Sequence, residues 1–466
     1  MSSQIRGDKF GALAVGVLLS VILGGGIFWQ AFRWEMPPTS NPSKEGVLEK
    51  PIIRLGVHQK DEFSMELANW MIQEWTSLPS PEFQIQIRPL DVNSGSSQNP
   101  QLPPSEGSSS LIPSPTPSAP APDNFHPETW DVGLFSNEWS HELDVQQLVH
   151  PMAEFADLSR FHPVSSEALA QEGSYLGMPI TMGGHLVLFS RANIENYDNF
   201  SLSDLLLDVP VPQEQVTPNP ASARKWQMDF QTAQLLFSLL DAEQKWPFEI
   251  KNDESFEVQL SLDSLDPVWK LLHQLRFSTQ DPQFLCTGSC AAKALVDGKM
   301  DYWLAPENYT RELLKQGLTS LRVYPLPRKS VGMAKLNGLV SGLSAFVSSK
   351  TPLEKEVYIR NFLSFIASRK SQLSMALKFH IIPAMHEAQF DESLQTSEVM
   401  VGLLSSLGSI RPAPTHTKYR DLSQALVKAF WSQKELSREA LPTSASPLPP
   451  ILSWVQSWQG SNPSHP

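Results

Sequence analysis

The chain has 466 residues, enough for two lobes and more, and 41% of them are hydrophobic, which suits a globular protein with large cores. Its net charge is −13 and its sequence holds no basic patch, which speaks against a nucleic-acid partner. Thirty-nine prolines are many, and they gather in a few segments.

Phe10 to Phe32, FGALAVGVLLSVILGGGIFWQAF, carries no charge and follows Arg6 and Lys9. At about 1.5 Å per residue such a helix crosses a bilayer core of about 30 Å. Trp29 and Trp34 sit where interfacial aromatics would. A cleaved secretory signal is the other reading, but no A-x-A-like site follows and no cysteine is at hand for a lipid. We therefore expect a signal anchor over 1–35, with a spacer over 36–48. Arg6 and Lys9 on the short side place the body outside the cytoplasm.

IIRLGVH, within Pro51 to Gln59, is a β-rich run. Glu62 to Trp75 has helical spacing at Phe63, Leu67, Met71 and Trp75. Phe83, Ile85 and Ile87 then alternate as in a half-buried strand. This β-α-β start predicts parallel pairing. Residues 93–124 are Ser/Pro-rich and predict a disordered insertion, because strand character resumes at WDVGLFSNEW from Trp130. Helix and loop alternate from Val145 to Gln171. Tyr175 to Arg191, YLGMPITMGGHLVLFSR, reads as an extended segment with a flexible joint at Gly183-Gly184, leading into a buried strand. Phe200 to Leu207, Trp226 to Leu240 and Pro267 to Leu275 have helical spacing. Ala291 to Val296 ends a helix, MDYWLA is a strand, and Glu307-Asn308-Tyr309 is its loop. VYPLP at Val323 and Leu339 to Ser348 read as strands. Leu353 to Ala367, Lys370 to Phe379 and a stretch near Tyr419 to Phe430 read as helices. The tail, 441–466, is Pro/Ser-rich and predicts disorder, although Trp454 and Trp458 offer a way to dock.

Cys286 and Cys290 are the only cysteines. They can close a small disulfide loop in an oxidising compartment or stand as two thiols, and no second Cys/His pair lies at zinc spacing. No G-x-S-x-G, H-E-x-x-H, P-loop or G-x-G-x-x-G pattern stands in the chain, so neither an enzyme nor a cofactor is expected.

In order, WDVGLFSNEW, YLGMPITMGGHLVLFSR, AAKALVDGKMDYWLAPENY and LVSGLSAFVSSKTPLEKEVYIRNFLSFIASRKSQ with HIIPA resemble the extracellular solute-binding proteins of ABC importers, the maltose-binding-protein-like, carbohydrate-oriented family. The resemblance covers Pro51 to Phe430. It implies an α/β, two-lobe periplasmic-binding-protein fold of type II. Lobe one would be 49–180 with 338–384, and lobe two 181–337 with 385–440. It also implies a small polar solute, most simply a sugar, in an interlobe cleft, with ABC permease subunits as partners and a monomeric chain.

Ligands of open α/β sheets bind beyond the carboxyl ends of strands. The candidates are therefore His58, Gln59 and Lys60; Ser136, Asn137, Glu138 and Trp139; Thr181 and Met182; Glu307, Asn308 and Tyr309; Asn337 to Ser341; and Tyr419. Carboxylates and amides suit sugar hydroxyls, and aromatic faces suit the C–H side of a ring. Two departures from the family stand out: Pro306-Glu307-Asn308-Tyr309 lacks the usual loop tryptophan, and Gly183 replaces a polar contact. The missing loop tryptophan and the long Ser/Pro-rich insertion motivate an alternative, a degenerate two-lobe fold acting as a membrane-tethered structural or interaction protein.

Overall fold

The computed structural model describes residues 50–90, 126–171, 173–207, 226–229, 233–250, 256–278, 288–333, 335–432 and 448–460. The expected anchor and spacer, the Ser/Pro-rich stretch 93–124 and Pro210 to Pro220 lie outside them. Among the described residues no helix is long and apolar enough to cross a membrane.

Strand β1 (Ile52–His58) buries Ile53, Leu55 and Val57 on one face. Asp61 then opens helix α1 (Glu62–Thr76) by accepting from the Phe63 and Ser64 amides at 3.1 Å each, which satisfies donors the first turn would orphan. The apolar stripe Leu67, Met71 and Trp75 turns inward onto the sheet. Strands β2 (Gln84–Leu90) and β3 (Val132–Ser136) flank β1, both parallel to it, as the β-α-β pattern predicts. Helix α2 (Ser140–Val145) follows β3 after a 3-10 turn. Asp131, fully buried, ties this region together. It accepts from the Arg54 amide at 2.7 Å, Arg54 Nη2 at 2.8 Å and Lys355 Nζ at 2.9 Å. Burial opposes ionisation there, but Arg54 and Lys355 prevail and hold the carboxyl below its ordinary range.

The joint segment forms three short strands in succession: β4 (Met178–Pro179), β5 (Thr181–Met182) and β6 (Leu186–Ser190). Next come β7 (Trp226–Met228), α3 (Gln234–Ala242), α4 (Leu262–Ser278), α5 (Ser289–Val296) and β8 (Tyr302–Pro306). They lead into α6 (Tyr309–Lys315), β9 (Arg322–Tyr324), β10 (Gly338–Val340) and β11 (Leu343–Val347). Two of these correct the helical and strand expectations. Trp226 to Leu240 is not one helix, because Trp226–Met228 pairs parallel with β8 and the helix starts only at Gln234. Sheet pairing outweighs local helical spacing here. Leu339 to Ser348 is not one strand, because Gly342 turns the chain at φ +105°, where a Cβ would lie 2.3 Å from the Thr181 carbonyl oxygen. Cys290, in the first turn of α5, is disulfide-bonded, and Cys286 lies outside the described residues.

The last third supplies α7 (Glu356–Ile366), α8 (Arg369–Phe379), β12 (Ile382–Pro383), α9 (Glu398–Ser406), β13 (Ile410–Pro412), α10 (Thr417–Ser432) and α11 (Leu448–Gly460). Helix α11 overturns the expectation of disorder over 448–460. Leu448, Ile451, Leu452 and Val455 are buried in one core with Leu265, Leu272 and Leu426. Each such side chain contributes about 1.5–3 kcal/mol, enough to hold a short segment that the prolines alone would leave loose.

Two mixed sheets result. One runs β2-β1-β3-β11-β4 and the other β9-β6-β8-β7. Along β6, Val187 and Phe189 enter one core while Leu186 and Leu188 enter another, so this sheet is covered on both faces. The chain passes from the first sheet to the second after β4 and returns to the first, at β11, after β9. At the first passage Ile180 donates to the Leu343 carbonyl at 2.9 Å, and Ser341 donates to the Gly183 carbonyl at 2.9 Å.

Candidate functional site

The parallel strands β2, β1 and β3 end along one edge, with His58 level with Leu90 and Val57 level with Leu134. His58, Gln59 and Lys60 thus leave the sheet beside Ser136–Trp139. His58 is half-buried; Gln59 and Lys60 are exposed. The turn after β3 begins with Ser136, whose hydroxyl accepts from the Glu138 amide at 3.4 Å. Asn137 points inward and is 1% exposed. Its Nδ2 donates to the Ser341 carbonyl at 2.9 Å, its Oδ1 accepts from Ser344 at 2.6 Å, and its own amide donates to Gly342 at 3.0 Å. Every polar atom of that side chain therefore holds the passage between sheets.

Thr181 and Met182 sit in the same joint. Thr181 Oγ1 accepts from the Leu343 amide at 3.2 Å, and the Met182 sulfur accepts from Gln389 at 3.3 Å. Ser341 is half-buried, and its hydroxyl fills the space over Gly184, where a Cβ would meet it at 2.4 Å.

Glu307 was expected in a loop after β8. The structure buries it to 7% exposure and starts α6 two residues later. Its carboxyl occupies the hollow that Gly183 leaves open, since a Cβ there would lie 1.8 Å from Oε1. The Gly184 amide donates to that oxygen at 3.1 Å. Burial pushes the acid up to about 8, against the pull of that single hydrogen bond. The two sequence departures at 183 and 307 are thus one interlocking pair. Asn308 is exposed and precedes the helix without a side-chain cap bond. Tyr309 lies 4.7 Å from the Trp303 ring, half-buried, and burial raises its phenol to about 12.

The remaining candidates meet at a seam between the turn after β3 and the first turns of α10. Trp139 and Glu138 are half-buried there. The Arg420 guanidinium lies over the Trp139 ring, 4.6 Å from its centroid, and pairs with Glu142 Oε1. The His141 ring is 4.0 Å from that of His416, and His416 stacks on Phe256 at 4.3 Å with planes 5° apart. Burial, helped by His141 and Lys418, drops His416 to about 3, so it is neutral at any ordinary pH. Burial likewise raises Glu138 and Glu142, while Arg420 pulls both down. Tyr419 reaches the seam from α10 and feels the charge of Glu138. It is 7% exposed, between Phe237 at 5.4 Å and Phe248 at 5.2 Å, and burial raises its phenol well above the ordinary value.

Four buried side-chain atoms on this seam have no hydrogen-bond partner: Ser140 Oγ, His141 Nδ1 and Glu142 Oε2 from one side, and Arg420 Nη1 from the other. Buried polar groups cost free energy when unpaired, which sets these atoms apart from the satisfied polar groups of the joint. Sequence reasoning named Glu138, Trp139 and Tyr419 here and did not name Glu142, Arg420, His141 or His416. Glu142 and Arg420 lie 278 residues apart, and nothing local reports their meeting. Among the described residues no group of three or more His, Cys, Asp or Glu is set to hold a metal ion.

No protein-family model and no curated protein matches this chain. Solved structures do. The maltose-maltodextrin binding protein of Alicyclobacillus acidocaldarius superposes with TM-score 0.62 at 13% identity, covering 88% of this chain and 100% of that one. The maltose/maltodextrin-binding domain of Bdellovibrio bacteriovorus, bound to maltotriose, gives 0.63 at 12%, covering 88% and 100%. The Thermus thermophilus maltotriose binding protein gives 0.60 at 12%, covering 88% and 99%. The architecture is therefore that of the periplasmic binding proteins, α/β and of type II. Within that class it is the maltose-binding-protein-like fold.

Proposed function

We propose that this chain is an extracytoplasmic solute-binding protein, held to the cytoplasmic membrane by Phe10 to Phe32, that captures a sugar or similar polar solute for an ABC importer. Its lobes would be 49–180 with 338–384 and 181–337 with 385–440, and the solute would lie in the cleft between them. It would act as a monomer, without enzymatic turnover, handing the solute to permease subunits. The observation that carries this reading is the set of unpartnered buried donors and acceptors at the seam, which a polyhydroxylated solute satisfies from both sides. The carboxylates Glu138 and Glu142 would accept from the solute's polar hydrogens. His58, Gln59 and Lys60 lie along the same sheet edge and would rim the cleft.

A thermal-shift screen of the intact chain against mono- and oligosaccharides, polyols and amino acids tests this, because a ligand of the native state stabilises by RT ln(1 + [L]/Kd). We expect at least one stabilising solute, weakened by Glu142→Gln. A flat panel on well-folded protein would refute it. One observation favours the alternative of a solute-free interaction protein: Arg420 already covers the Trp139 face on which a sugar would stack. That reading predicts the flat panel and co-purification with a membrane complex lacking a permease.

A further inference from the structure

Three acidic side chains gather at the seam around one guanidinium. Glu138, Glu142 and Asp421 lie there, and Arg420 is the cation that stabilises the charged form of each. Lys418, the next cation along α10, gives its ammonium to the Phe256 carbonyl at 3.2 Å. Three carboxylates in a largely desolvated setting thus share one guanidinium.

That guanidinium fills its place imperfectly. It stacks on Trp139 and pairs with Glu142 Oε1, yet Arg420 Nη1 and Glu142 Oε2 are both buried without a partner. Glu142 itself is 7% exposed. A neutral hydroxyl that displaced Arg420 could bond Oε2 but would leave the carboxylates uncompensated. An ammonium or guanidinium group supplies charge and donors together, and it can lie on the indole face as Arg420 does.

We propose that Trp139, Glu138, Glu142 and Asp421 form a cation cage, occupied within the chain by Arg420, and that the captured solute carries a guanidinium or ammonium group that takes Arg420's place. This rests on the solute-binding reading and names the solute's chemical class. The occupied cage is the solute-free form, and solute affinity is set by competition with Arg420.

The test is chemical rescue in the full chain. Arg420→Ala empties the cage, and methylguanidinium is the probe, with urea as its neutral counterpart and thermal shift and tryptophan fluorescence as readouts. Methylguanidinium is expected to bind Arg420→Ala saturably at low millimolar concentration and wild type at least about tenfold more weakly. Urea should not bind, and Arg420→Ala with Glu142→Gln should lose at least about tenfold in affinity. If Arg420→Ala does not fold, Arg420→Met keeps the apolar stem over Trp139 and is titrated instead. A folded variant without saturable response, or an equal response to urea, overturns the cage. Should panel sugars stabilise wild type while methylguanidinium fails on the variant, the solute-binding reading stands and the cage falls. Should methylguanidinium bind the variant while every panel solute leaves wild type unshifted, the cage stands and the solute-binding reading falls.

Discussion

Asp131→Ala tests how the first sheet is locked to the helix that follows β11. The carboxylate accepts from the Arg54 amide at 2.7 Å, Arg54 Nη2 at 2.8 Å, Arg54 Nε at 3.2 Å and Lys355 Nζ at 2.9 Å. Asp131 is fully buried, and the Arg54 and Lys355 side chains are only 25% and 20% exposed. Removing it strands one backbone donor and two largely buried cations, for a loss of about 3–5 kcal/mol at neutral pH. Thermal melts of wild type, Asp131→Ala, Lys355→Met and the double variant measure the loss and the Asp131–Lys355 coupling. The pH dependence has a fixed sign. The folded carboxyl titrates below its ordinary 3.8, so its stabilisation is complete above about 4 and is lost as pH falls through the folded value. Asp131→Ala should lack that acid limb. A loss below about 1 kcal/mol, the size of an exposed ion pair, would refute the lock.

Gly183→Ala should be strongly destabilising, because its Cβ would meet Glu307 Oε1 at 1.8 Å; adding Glu307→Ala should recover much of the loss in melting temperature. Glu307→Gln tests the buried acid by its pH profile. The folded carboxyl titrates near 8 against an ordinary 4.5, so the folded state holds the extra proton and stability falls as pH rises between those values, by up to about 1.4 kcal/mol per unit; the glutamine variant should flatten that slope. Leu448→Ala should cost about 2–4 kcal/mol in a denaturant melt, since the side chain, at the start of α11, is fully buried in the core, whereas an undocked tail predicts no change.

Local patterns carried the β-α-β opening, because the β-rich run of β1, the 3.6 period of α1 and the alternation of Ile85 and Ile87 in β2 are each written in consecutive residues. They also carried the joint, where Gly184 adopts φ +74° as the Gly-Gly pair predicts. They failed where pairing partners are remote. Trp226–Met228 has helical spacing yet is a strand because β8 lies beside it. The tail reads as loose because its Pro and Ser are visible, while the core that receives Leu448 and Val455 is not. The site divides the same way. Strand ends pointed to Glu138 and Trp139, but the groups that face them come from α10 across the fold, so Arg420 was passed over in favour of its neighbour Tyr419. Asn137 and Thr181 lie at strand ends too, and their polar atoms serve the joint.

The central claim is that solute is held between the turn after β3 and the first turns of α10. Hydrogen exchange, followed with and without saturating solute from the panel, addresses it directly. The account predicts that one solute slows exchange in Ser136–Val145 and in 416–424 together, and that Glu142→Gln abolishes both effects. Protection confined to another part of the molecule, or none with any solute, would contradict it.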